Sequence, residues 1–304
     1  MAKEVPIFLD PEDIQMFDLG EVTHVRPRAS RRIKAFPWYG SKYSHMDWLL
    51  PRLPEANHYV EPFGGSAAVL LNRAPSKIET YNDIDGNVVN FFKVLRENRN
   101  ELLELLKLTP FSREEFMLAI QGRDQGNPVE RARQFYILTV QTFVGKAQSP
   151  SLGDWRKSKT VSRNNMALAT SSWLSSMNYL PVVADRLMRV QIENRPAMEL
   201  IESYDKEDVL FYCDPPYPHD SRSAHSFVYY TEMSEQEHRE LAELLSNVKA
   251  KVAISGYNDG IMSELYSEWE LFLADPKYAR SSKDIRQEAL WTNYGKVESK
   301  MSLF

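Results

Sequence analysis

The chain has 304 residues, a net charge of −5 and 43% hydrophobic residues, enough for a sizeable core and more than one ordinary domain. No apolar stretch approaches the ~20 residues that span a bilayer, and the N-terminus lacks the apolar segment of a signal peptide, so a cytoplasmic protein without a membrane partner is expected. Cys213 is the single cysteine, which excludes an internal disulfide and a cysteine-cluster metal site, and no metal is expected.

Residues 1–33 read as a polar N-terminal extension. The charge is unevenly spread. Residues 24–42 carry Arg26, Arg28, Arg31, Arg32, Lys34 and Lys42 with no acid, a local +6. Residues 145–165 carry Lys146, Arg156, Lys157, Lys159 and Arg163 against Asp154 alone, a local +4. Two basic stretches on an acidic body suit local engagement of phosphates, the alternative being a pair of solvated loops.

A short strand ends at 59–62, followed by the glycine turn Phe63-Gly64-Gly65-Ser66 and a helix-like stretch at 67–71. A second strand, 78–82, ends at Asp83-Ile84-Asp85. A helix is predicted over 86–107, with Val88, Val89, Phe92, Leu95, Leu102, Leu103 and Leu106 near helical spacing. Strand, glycine turn, helix, strand, acid is a nucleotide-binding half of an α/β sheet. Gly64 and Gly65 let the backbone approach a ligand, and Asp83 or Asp85 stands where a carboxylate accepts from ribose hydroxyls. Neither G-x-G-x-x-G nor G-x-x-x-x-G-K-[ST] occurs, which favours a nucleoside-containing cofactor over a dinucleotide or triphosphate. Taken alone, such a turn is more often a packing device.

Residues 110–195 break this rhythm, with helical stretches at 112–121 and 128–142 and then a polar segment to about 171. The alternation resumes with strands at 209–213 and 250–255 around a helix at 234–246, opened by the capping-box pattern Ser234-Glu235-Gln236-Glu237. Directly after the apolar run 209–213 stands Asp214-Pro215-Pro216-Tyr217. Two prolines cannot continue a central strand, and they hold Asp214 and Tyr217 in one relative geometry. A carboxylate beside a rigid carbonyl and an aromatic ring suits a planar base bearing an exocyclic amino group, since both N–H hydrogens find acceptors while the ring stacks. The alternative is a proline-rich turn with a capping aspartate. Cys213 reads as a buried strand-end thiol rather than a reactive one.

Four motifs then occur in a telling order: Pro37-Trp38-Tyr39-Gly40-Ser41-Lys42, Val60-Glu61-Pro62-Phe63-Gly64-Gly65-Ser66, Asn82-Asp83-Ile84-Asp85 and Asp214-Pro215-Pro216-Tyr217. From about residue 34 to 294 the chain resembles the Dam-type (D12-class) DNA adenine-N6 methyltransferases. The resemblance implies a Rossmann-like, S-adenosylmethionine-dependent α/β sheet formed by 34–109 and 196–304, with an inserted, mainly helical target-recognition domain at 110–195. It assigns Trp38, Tyr39 and Lys42 to the N-terminal cofactor motif, with core packing as the alternative for the aromatic pair and a solvated cation for Lys42. Pro62, Phe63, Gly64 and Ser66 match the motif at the methionine part of the cofactor, Asp83 the ribose carboxylate and Ile84 the neighbour of the cofactor adenine. Asp85 reads better as a helix cap. Asp214, Pro215, Pro216 and Tyr217 match the catalytic motif, and Asp214 also borders the cofactor. Residues 251–257 and 288–294 look like later strands of the same sheet. Two departures stand out: Ser255-Gly256-Tyr257 replaces the family's frequent Ser-Asn-His, and Asn194-Arg195-Pro196-Ala197 lacks the acid often found near the cofactor adenine.

The implied reaction is methyl transfer to adenine N6 in double-stranded DNA, with the base flipped out and stacked on Tyr217. Phe227, Tyr229 and Tyr230 would form a loop closing over the base, or else a hydrophobic strand. Lys146, Arg156, Lys157, Lys159 and Arg163 are the DNA-contact candidates. A separately encoded cognate restriction endonuclease is a partner the resemblance allows. N4-cytosine methylation uses similar geometry, but that group more often has Ser in place of Asp214. RNA and protein-amide relatives more often have Asn there. A non-catalytic DNA-binding module would leave Asp214 dispensable, against the complete set of motifs.

Overall fold

Val209–Cys213 is buried at every position, as a strand covered on both faces must be, and it lies inside a seven-stranded sheet. The computed structural model describes residues 32–142, 155–159, 161–163, 165–218, 233–258, 260–278 and 285–297. The chain divides into a unit of residues 1–32, of which Arg32 alone is described, and a unit of residues 33–304. The sheet strands are β1 (His58–Glu61), β2 (Ile78–Asn82), β3 (Gln191–Glu193), β4 (Val209–Cys213), β5 (Lys251–Tyr257), β6 (Glu270–Leu273) and β7 (Glu288–Thr292). Their order is β3-β2-β1-β4-β5-β7-β6. Strands β1 to β5 pair in parallel, and β7 runs antiparallel to both β5 and β6. This is the expected Rossmann-like α/β sheet.

The helices are α1 (Met46–Leu49), α2 (Ala68–Asn72), α3 (Gly86–Glu97), α4 (Arg99–Leu108), α5 (Arg113–Gln121), α6 (Pro128–Gln141), α7 (Leu168–Ser176), α8 (Leu180–Leu187), α9 (Ala197–Tyr204), α10 (Glu235–Asn247) and α11 (Gly260–Leu265). Side chains alternate across the strands and so feed two cores. Leu210 and Tyr212 join one core with α3, α6 and α8, while Val209, Phe211 and Cys213 join the other with α9, α10 and α11. The predicted helix over 86–107 is two helices, broken at Asn98 (φ −124°, ψ 35°). Helix starts obey local chemistry: Ser112 caps α5, Asn127 caps α6, and Ser234 forms a complete capping box with Glu237 on α10.

Residues 110–195 are mainly helical, yet their helices share a core with the sheet. Phe91 of α3 stacks on Tyr136 of α6 at 5.6 Å and 8°. A boundary at 195 also falls beyond β3, which pairs with β2 through Thr80↔Gln191 and is part of the sheet. Three exposed or half-buried residues carry too little pattern to mark such an edge strand in the sequence.

Glu79 of β2 ties α8 to the sheet. Its side chain is fully buried and meets Arg186 Nη2 of α8 at 2.6 Å, with Arg189 at 3.6 Å and Arg73 at 3.8 Å. Truncating one partner of a buried ion pair strands the others. Glu79→Ala is therefore expected to lower stability by about 3–5 kcal/mol in urea unfolding; a loss below about 1 kcal/mol, the range of an exposed pair, would contradict this role.

Candidate active site

Strands β1 and β4 are neighbours, Val60 opposite Phe211, but the chain leaves them toward opposite halves of the sheet. A crevice must open at their carboxyl ends, and such switch points are where α/β sheets bind ligands. The cleft found there is lined by residues 38–42, 61–66, 82–85 and 196–198, with Ala68, Val69, Tyr212, Asp214, Pro216, Met233 and Glu237. Of the sequence candidates it gathers Trp38, Tyr39, Lys42, Pro62, Phe63, Gly64, Ser66, Asp83, Ile84, Asp214 and Pro216. Pro215 and Tyr217 are buried and are not part of this lining.

One wall is the glycine turn, pinned from four sides. Gly64 N donates to Asn82 O (2.8 Å), Gly65 N donates to Asp83 Oδ2 (2.8 Å), Tyr81 Oη donates to Gly65 O (2.7 Å), and Ala67 N donates to Gly64 O (2.8 Å). A Cβ on Gly64 would lie 2.1 Å from the Tyr81 ring, and one on Gly65, at φ 48°, 2.5 Å from Trp38 Nε1. Packing and close approach to a ligand thus require the same glycines. Trp38 lies over the turn and meets Phe36 edge-on at 5.5 Å, so it serves the core and the cleft together.

Asp83 closes this wall, with its second oxygen accepting from Asp85 N at 2.8 Å. Burial pushes the Asp83 carboxyl up to about 6, against the opposing effect of its backbone donors. Asp85 caps α3 through Asn87 N (2.9 Å), as its sequence position suggested. Ile84 keeps 50% of its surface exposed at the rim. Asn194 Nδ2 donates to Asp83 O at 2.7 Å, so the stretch that departs from the family pattern braces this backbone. A glycine cradle that a Cβ would fill, an exposed apolar face and a strand-end carboxylate fit a nucleoside-containing cofactor such as S-adenosylmethionine.

The other end holds the charges. Lys42 is buried, at 3% exposure, and is not a solvated cation. Its Nζ donates to Asp214 Oδ1 (2.7 Å), Asp214 Oδ2 (2.8 Å) and Gly40 O (3.0 Å), with Glu288 Oε1 at 3.3 Å. Burial opposes this charge, but Asp214 and Glu288 outweigh it and hold the ammonium well above the usual lysine range. Burial raises Asp214, tempered by Lys42, and one fifth of its side chain remains exposed. Ser255 Oγ donates to Asp214 Oδ1 at 2.9 Å and lies 3.1 Å from Tyr212 Oη. His238 Nε2 donates to Pro216 O at 3.0 Å, while no described residue donates to the Pro215 carbonyl. Tyr217 donates to Glu288 Oε1, meets Tyr257 edge-on at 4.7 Å and covers Lys42 Nζ at 4.9 Å.

Sequence reasoning missed Glu288, Ser255 as a partner of Asp214, and Glu61. The Ser255-Gly256-Tyr257 departure has a packing reason: a Cβ on Gly256 would lie 3.0 Å from Met262 and 3.1 Å from Trp291. Glu61, in the cleft lining, accepts from Tyr59 Oη (2.7 Å), and burial pushes its carboxyl up to about 8. Cys213 is fully buried, and burial lifts its thiol above the ordinary range, as a strand-end thiol requires.

Outside the cleft, Arg156 is half-buried, and Lys157, Lys159 and Arg163 are exposed; among the described residues none of the four is ion-paired. Trp155 roots this stretch through Nε1 donating to Gln141 Oε1 (3.1 Å) and a 5.1 Å contact with Phe111. Burial, and then Arg156, lower the Lys34 ammonium, so the two basic stretches approach each other here. Lys146, Phe227, Tyr229 and Tyr230 lie outside the described residues, as do Arg26, Arg28 and Arg31. No helix among the described residues is long and apolar enough to cross a membrane.

Residues 38–280 match the family model described as D12 class N6 adenine-specific DNA methyltransferase. The DNA N-6-adenine-methyltransferase of Escherichia phage P1 is 26% identical over 277 residues, which cover 85% of this chain and 34% of that protein, so this chain spans about a third of its length. The Type II methyltransferase M1.LlaDCHI of Lactococcus lactis subsp. cremoris is 25% identical over 279 residues, covering 85% of this chain and 94% of that one. The DNA adenine methylase of Salmonella typhi is 25% identical over 266 residues, with coverages of 81% and 88%. With the match running from the first cleft residue, Trp38, beyond β6, this chain belongs to the D12 class N6 adenine-specific DNA methyltransferase family.

Proposed function

We propose that the protein transfers a methyl group from S-adenosylmethionine to adenine N6 at specific sites in double-stranded DNA, drawing the target base out of the helix to reach Asp214. The observation that carries this reading is the Asp214 carboxylate at the end of β4, one fifth exposed, beside a Pro215 carbonyl without a described donor. The lone pair of an aromatic amine is delocalised into the ring. Accepting both N6 hydrogens, at Asp214 and at the Pro215 carbonyl, localises it and aims it. Bound S-adenosylmethionine would supply an electrophilic methyl on a sulfonium for direct, in-line transfer. Trp38, Tyr39, Pro62, Phe63, Gly64 and Ser66 would enclose its methionine part, Asp83 its ribose and Ile84 its adenine. Lys42 keeps Asp214 in its accepting form, and the Tyr217 ring would offer the flipped base a stacking face. Asp214, rather than Ser, favours adenine over cytosine N4.

On this reading residues 110–195 carry target recognition, with Arg156, Lys157, Lys159, Arg163 and Lys146 toward DNA and Phe227 and Tyr229 near the flipped base. A separately encoded restriction endonuclease is the partner suggested by the Type II relative's name, and the site of action is the cytoplasm, where DNA is reached.

Mass spectrometry of nucleosides after incubating DNA with the protein and S-adenosylmethionine is expected to yield N6-methyladenine, and Asp214→Ala to abolish it. N4-methylcytosine alone, or no product on diverse DNA, would sink the proposal. Asp83 with a carboxyl near 6 becomes neutral as pH falls below that value and then accepts poorly from ribose hydroxyls. Calorimetric affinity for S-adenosylmethionine should therefore fall through about pH 6. Asp83→Asn should bind more weakly at neutral pH, by about 1.5–3 kcal/mol, and lose that step; unchanged affinity would make the ribose assignment wrong. Combined alanine replacement of Arg156, Lys157 and Lys159 should flatten the salt dependence, by roughly 0.9 in log–log slope per phosphate contact, or relax site preference. If both stay as in the unaltered protein, this segment is a solvated loop.

A further inference from the structure

Both oxygens of Asp214 are already engaged. Lys42 Nζ bridges them at 2.7 and 2.8 Å, and Ser255 adds a bond to Oδ1. With Ser255, the ammonium takes three of the carboxylate's roughly four acceptor sites, so an exocyclic N–H competes with it. A base that takes over Asp214 displaces the ammonium, and a buried cation separated from its carboxylate is strongly unfavourable. Glu288 removes that obstacle. It opens β7, is 8% exposed, and presents Oε1 at 3.3 Å from Lys42 Nζ. Its backbone is fixed by the antiparallel register with Tyr257, and the same Oε1 accepts from Tyr217. Glu288 is buried with its Oε1 turned to Lys42 and Tyr217, so it acts on the substrate through these groups.

We propose that Glu288 is a positioning residue, the carboxylate that receives the Lys42 ammonium when the target amino group takes over Asp214. The exchange then redistributes hydrogen bonds within a fixed set of charges, instead of separating a buried pair. Lys42, Asp214 and Glu288 together carry one net negative charge. That charge faces N6 as the N6–CH3 bond forms and the S–CH3 bond breaks. The sulfonium becomes a neutral thioether, and N6 bears the positive charge until it releases a proton to water. Without Glu288 the set would be neutral and the ammonium would have one carboxylate to hold.

The inference rests on the methyl-transfer reading, and one set of single-turnover measurements separates the two. Glu288→Gln keeps an oxygen for Tyr217 but removes the charge; Glu288→Asp keeps the charge at shorter reach. Glu288→Gln is expected to slow methyl transfer by at least about fivefold, with S-adenosylmethionine affinity within about twofold, and Glu288→Asp to lie nearer the unaltered rate. Adding Glu288→Gln to Lys42→Met should cost less than Glu288→Gln costs alone, because the group it receives is gone. A loss under fivefold, multiplying losses in the double variant, or Glu288→Asp slower than Glu288→Gln would each overturn the role. If the unaltered protein transfers no methyl at all, the methyl-transfer reading fails instead.

Discussion

The buried ammonium of Lys42 meets Asp214 across 172 positions of sequence, and the arrangement of the cleft turns on that meeting. A charge taken out of water must be paired and hydrogen-bonded, or the group gives up its charge. The pairing therefore binds the segment before α1 to the end of β4. Ser255 of β5 donates to Asp214 and Glu288 of β7 faces the ammonium, so four separate stretches of chain converge on one ion pair. The sheet makes this possible. Parallel pairing puts the carboxyl ends of β1 and β4 side by side, and the antiparallel return of β7 brings residue 288 to the same end.

The glycine-turn end of the cleft depends on steric exclusion instead of charge. Tyr81 and Trp38 leave no room for a side chain on Gly64 or Gly65, and the backbone of the turn is held by Asn82 and Asp83. A carboxylate that would receive a ribose therefore also shapes the turn beside it. Residues 110–195 are held by packing and by charge together. Their helices share aromatic packing with α3, and Glu79 links β2 to α8, so the basic stretch rooted at Trp155 stands on the body of the enzyme.

Much of this was legible in the sequence because it is local. The apolar run 209–213, the Asp214-Pro215-Pro216-Tyr217 stop, the glycine turn and the Ser234 capping box each declare themselves within a few residues. What was not legible is set by distance or by short length. Glu288 and Ser255 gain their partners from strand register. Tyr217, read as a stacking platform, is also a donor to Glu288 and a cover for Lys42. Lys42 carries no local sign of burial, and β3 is too short for periodicity. The break at Asn98 interrupts a hydrophobic pattern that continues through it, so spacing alone joined α3 to α4.

The most direct test of the account is the structure of the protein with a non-reactive S-adenosylmethionine analogue and a duplex containing its target site. The account predicts an extrahelical adenine whose N6 lies within hydrogen-bond distance of both Asp214 and the Pro215 carbonyl. A target adenine still stacked in the helix, or an extrahelical one with its amino group bound elsewhere and the Lys42–Asp214 pair intact, would contradict it.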